Sequence, residues 1–201
     1  MNNLYIEEYA DIFQKILSIG HSRSYSTSAI EKRISSSLYF QYIEKDDKSL
    51  PLSVDEEVLI KEIFPELNID LYKVKSFSEC LWAAYAYLYI QESTKLTFEC
   101  IFLYIPIVSM FKYFNVYHEM DFSQIVKEFD NLYRKESALS LLINKYGFSL
   151  YDVCKMTGLS YATLSSLKQR KRDIKKLNVN DAVKLASFFR VRVETICEMK
   201  L

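Results

Sequence analysis

Apolar residues recur at helical spacing through most of this 201-residue chain. Leu4, Tyr5, Ile6, Tyr9, Ile12, Phe13, Ile16 and Leu17 fall on one face, which predicts a helix over residues 4–19. Gly20 is a natural stop for it. The polar run 21–28 predicts a loop, with Thr27 or Ser28 as N-cap of a second helix over residues 29–44. Ile30, Ile34, Leu38 and Ile43 would line that helix, although the stretch 22–42 also leaves room for a short hairpin. Residues 46–51 predict a turn or linker. Ser53 then precedes a helix with acids in its first turn, as the helix dipole favours, and Pro65 ends it. Further helices are predicted over 76–91, over 97–117 with an interruption near Pro106, and over 121–133. No internal repeat is visible. The pattern predicts an all-α protein.

Composition narrows the picture. Half of the residues are hydrophobic, enough for a full core, and only three Gly and three Pro interrupt the chain. Cys80, Cys100, Cys154 and Cys197 are far apart, with no CxxC pair, which argues against a zinc site or a disulfide framework and fits a reducing compartment. The start MNNLYIEEYAD lacks a basic stretch followed by an apolar run, so no signal peptide is expected. The apolar run 100–110 is too short to span a membrane, which takes about 20 residues, so no membrane association is expected.

Net charge is zero, but the average conceals a division. Residues 1–131 carry 12 Lys+Arg against 20 Asp+Glu, and residues 132–201 carry 14 against 6. A basic C-terminal part behind an acidic N-terminal part suggests that only the former faces a polyanion.

The informative segment is SLYDVCKMTGLSYATLSSLKQRKRDIKKLNVNDAVKLASFFRVRVETI, residues 149–196. Ser149 and Ser160 stand where two short helices begin, Gly158 lies in the turn between them, and Leu159 follows it. Val153 and Cys154 on the first of these helices, and Leu164 and Leu167 on the second, occupy inward positions. Then come Val179, Ala182, Val183, Leu185, Ala186 and Phe189, and finally Val191, Val193 and Ile196. This pattern resembles the lambda-repressor/Cro-like, XRE-type helix-turn-helix family. The resemblance implies a five-helix DNA-binding domain over residues 132–201, preceded by an acidic helical domain over 1–131 for oligomerisation or for partner or effector binding.

Carried over position by position, the resemblance makes Tyr161, Ala162, Thr163 and Ser166 the base-reading residues. Ser160, Lys168, Gln169, Arg170, Lys171, Arg172, Lys175 and Lys176 become the contacts to the DNA backbone. Ala162 suits a thymine methyl, and Thr163 and Ser166 suit a base edge. No Arg, Asn or Gln is present for a bidentate base contact, which leaves a share of readout to DNA shape. Six basic residues within positions 168–176 suit counterion release. The chain departs from the family at three positions. Leu150 replaces a polar backbone-contacting residue, and Arg170 and Arg190 stand where Gly often ends the third and fourth helices.

Other constellations have blander readings. His118 beside Glu119 and Asp121 suggests a helix-end surface cluster before it suggests a metal site. Trp82, Tyr85, Tyr87 and Tyr89 suit a core better than a ligand pocket. No nucleophile–base arrangement is visible, so no catalysis, cofactor or metal is expected. The expectation is a cytoplasmic, bacterial or phage-encoded transcription regulator, nucleoid-associated when on DNA. It would be a repressor, acting as a homodimer on double-stranded DNA, with an N-terminal domain that dimerises or senses. The alternative is an antitoxin-like or mobile-element inhibitor whose N-terminal domain binds a protein partner and whose helix-turn-helix autoregulates its promoter.

Overall fold

The computed structural model describes residues 3–45, 55–66, 77–172 and 174–198. Among them there are thirteen α-helices and no strand. The chain is all-α, and the stretch that left room for a hairpin is helical. Eight helices precede the helix-turn-helix segment: α1 Asn3–Ser22, α2 Thr27–Ser36, α3 Leu38–Glu44, α4 Glu56–Ile63, α5 Ser78–Thr94, α6 Phe98–Tyr104, α7 Ile107–Tyr117 and α8 Ser123–Lys135. Five follow: α9 Ala138–Tyr146, α10 Leu150–Thr157, α11 Tyr161–Lys168, α12 Val179–Phe189 and α13 Val193–Cys197.

Several boundaries differ from the sequence expectation, each for a physical reason. Gly20 lies inside α1 and does not end it. A Cβ there would stand 2.2 Å from Ile30 Cδ1, so the glycine lets α2 close onto α1. Ser26, not Thr27 or Ser28, caps α2, its hydroxyl accepting from Ala29 N–H. The helix expected over 29–44 breaks at Ser37, whose extended backbone (ψ 133°) separates α2 from α3. Asp55 caps α4, and the expected cap Ser53 lies outside the described residues. Pro106 divides α6 from α7 as expected, and their axes bend by 69°. No single described helix is long and apolar enough to cross a membrane, and α6 with α7 pass that test only as a bent pair.

The N-terminal helices share one core centred on α5. This helix buries residues all round, among them Ala83, Ala84, Tyr87, Leu88 and Ile90, as a central helix must. Around it Phe13, Phe40, Tyr87, Phe98 and Phe102 pack edge-on or stacked at 4.9–6.2 Å between ring centroids. Tyr87 is wholly buried and donates to Ile105 C=O at 2.9 Å. Trp82 stacks on Phe122 with Tyr85 and Tyr89 alongside, so the aromatic group belongs to the packing. A second core forms from α9 to α13 and takes in Leu103 of α6. The boundary expected between residues 131 and 132 falls inside α8, which runs on to Lys135.

Buried glutamates tie the helices together. Glu31 accepts from the first N–H of α7, at Ile107, and Glu44 from that of α6, at Phe98. Glu198 accepts from the first N–H of α9, at Ala138, and Glu99 from Arg192 N–H at the start of α13. Each satisfies an orphan donor of a helix distant in sequence and places a negative charge at the positive end of its dipole.

Candidate DNA interface

The interface begins with two serine caps. Ser149 accepts from Asp152 N–H while the Asp152 carboxylate accepts from Ser149 N–H, a complete capping box at the start of α10. Those bonds to Ser149 hold the Asp152 carboxyl below its ordinary pKa. Gly158 ends α10 with φ 72°, a left-handed conformation that a side chain resists. Ser160 then caps α11, accepting from Thr163 N–H at 3.1 Å. Val153, Leu159, Leu164 and Leu167 are buried and fix α10 and α11 against α9 and α12, while Cys154 is half-buried.

This packing turns the start of α11 outward. Tyr161 is 60% exposed and Ala162 is exposed beside it. Thr163 and Ser166 are half-buried, and both hydroxyls have internal partners. Ser160 Oγ donates to Thr163 Oγ1 at 2.9 Å, and Ser166 Oγ donates to Thr163 C=O at 2.8 Å. The four base-reading candidates therefore share one helix, with Tyr161 and Ala162 the most accessible.

The basic segment behind α11 divides into two groups. Gln169, Lys171, Arg172 and Lys176 are exposed, and Lys168 is half-buried with its carbonyl held by the Ser137 hydroxyl. Lys168, Lys171, Arg172 and Lys176 have no ion-pair partner among the described residues. The Lys175 side chain lies outside the described residues.

Arg170 differs from the rest. Its guanidinium turns inward, donating to both carboxylate oxygens of Glu198, to Glu136 C=O and to Tyr104 Oη, and it covers the Tyr133 ring at 5.0 Å. Burial opposes its charge, but Glu198, Tyr104 and Tyr133 together raise its pKa. Its donors are engaged within the protein, which removes it from the backbone grip expected of it. The reason lies in its backbone. Arg170 takes φ 54° and Arg190 φ 55°, the left-handed turns for which Gly is usual. At position 170 that turn aims the side chain back at α6 and Glu198.

At the expected polar position, Leu150 is half-buried and Tyr151 beside it is 69% exposed. The phenol of Tyr151 is thus an exposed polar group at the start of α10, suited to a phosphate oxygen. Its signal in the sequence was an aromatic at the first turn of a capped helix. His118 lies at the end of α7, against Phe114 and 3.6 Å from Glu119, and no group of three metal-ligating side chains occurs among the described residues.

Two successive capped helices, a left-handed turn between them and an outward third helix with a basic end decide the class of this module. Residues 138–200 match the Cro/C1-type HTH DNA-binding domain. No curated protein and no solved structure matches the chain. The matched residues take in α9 to α13. The match indicates a DNA-binding regulator of transcription. It does not extend to the helices before α9.

Proposed function

We propose that this protein is a repressor that lays α11 of its Cro/C1-type domain in the major groove of duplex DNA. The exposed start of α11, followed by Lys168, Lys171, Arg172 and Lys176 with no ion-pair partner among the described residues, carries this reading. Tyr161, Ala162, Thr163 and Ser166 face the bases. Ser160, Lys168, Gln169, Lys171, Arg172, Lys175 and Lys176 hold the backbone, and Tyr151 joins them. The domain over residues 1–131 pairs two copies or senses an effector, and the paired recognition helices meet half-sites about 34 Å apart. The chain acts in the cytoplasm of a bacterium, on the nucleoid.

The test is DNA binding by the full chain over a range of salt. The double reversal K171E/R172E weakens binding to every sequence and flattens the log–log salt slope by about one unit for each phosphate no longer neutralised. Ser166→Ala alters sequence preference instead. Unchanged affinity in the double reversal overturns the reading.

A further inference from the structure

A cleft of about 510 Å³ opens between the two cores, within the size range of small-molecule sites. One wall is α2 with α6, and the other is α9 with the turn between α12 and α13. Tyr146, which is 47% exposed, and the half-buried Val191 provide apolar surface, while Lys32, Lys145 and Arg190 line the same space.

The charges are not balanced. Glu31 and Glu99 also line the cleft, but both carboxylates are engaged. Glu31 accepts from Ile107 N–H at 2.8 Å, with Lys145 Nζ 3.9 Å away. Glu99 Oε2 accepts from Thr195 Oγ1 at 2.6 Å and from Arg192 N–H at 2.8 Å. Lys32 and Arg190 are exposed and have no ionic partner among the described residues. A cationic ligand would find its acids already bonded, whereas an anionic one meets two free cations and the loosely held Lys145.

The geometry points to a binding site for a small amphipathic acid, a carboxylate or phosphate ester carrying an aromatic or aliphatic group. The acid lies among Lys32, Lys145 and Arg190, and its apolar part rests on Tyr146 and Val191. Such a ligand bridges α2 of the N-terminal core and the α12–α13 turn of the DNA-binding module, so the site spans both halves of the protein.

The experiment is calorimetric titration of the full chain, without DNA, with phenyl phosphate, benzoate, inorganic phosphate and neutral benzyl alcohol. The two aromatic acids bind with Kd of about 1 mM or tighter, as such small ligands allow. Benzyl alcohol and inorganic phosphate each bind at least about tenfold more weakly, the first lacking charge and the second lacking apolar surface. K32Q/R190Q weakens both acids about tenfold and leaves benzyl alcohol unchanged. K171Q/R172Q, in the DNA interface, leaves acid affinity as it was. The assignment is overturned if neither acid binds, if benzyl alcohol binds as tightly as the acids, or if K171Q/R172Q and not K32Q/R190Q removes binding. Because no DNA is present, none of these outcomes bears on the DNA-binding reading.

Discussion

Arg170 and Arg172 are two positions apart and have opposite roles. Arg170 directs its guanidinium to Glu198, which is only 3% exposed, while Arg172 stands in solvent. A buried carboxylate that loses its cation is strongly destabilising, commonly by about 3–5 kcal/mol, and the partial exposure of Arg170 lessens this. Arg170→Ala should therefore lower stability by about 2 kcal/mol in denaturant titration. Arg172→Ala should leave stability unchanged and weaken DNA binding. Equal midpoints for Arg170→Ala and the parent would show that the inward network contributes nothing. In the sequence the two arginines are equivalent members of one basic run, because side-chain direction there depends on the left-handed backbone at Arg170 and on a carboxylate 28 residues away.

At the scale of elements, two devices complete helix starts. Ser26, Asp55, Thr97, Ser137, Ser149, Ser160 and Asn178 cap their own helices through a side chain two or three residues from its partner. These starts follow local rules, and Ser149 and Ser160 were legible as caps for that reason. Helices α7 and α13 have no side-chain cap of their own and are completed by Glu31 and Glu99. Burial raises the Glu31 pKa above its ordinary 4.5, opposed by the bond from Ile107 N–H and by Lys145. A raised folded-state pKa makes its contribution to stability fullest below the unfolded-state value, and that contribution is lost as pH rises through the folded one. Glu31→Gln keeps an oxygen for Ile107 N–H and removes the ionisation. Its thermal midpoint relative to the parent should rise as pH increases above about 4.5 and then level off. A midpoint difference independent of pH would refute this.

At the scale of the whole molecule, the two cores are joined by ion pairs as well as apolar contact. Arg192 donates to both oxygens of the buried Glu44, and Tyr104 donates to Glu198 across the same seam. Leu103 of α6 lies in the core of the DNA-binding module. Separating the halves would strand Glu44 without its cation and Glu198 without the Tyr104 hydroxyl. The full chain should therefore unfold in one transition, with tryptophan fluorescence, which reports Trp82 in the N-terminal core, coinciding with far-ultraviolet circular dichroism. Two separated transitions would mean independent domains. The sequence by itself determined the helical class and, in the segment that resembles the Cro-like family, the caps at Ser149 and Ser160 and the left-handed turn at Gly158. Those features depend on residues within a few positions of one another. Only the tertiary structure decided that Gly20 admits Ile30, that Arg170 faces inward, and that Glu31, Glu44, Glu99 and Glu198 begin helices distant from themselves. Each of these rests on two elements brought together by burial, and helical periodicity marks which face of a helix is buried but not which element it meets.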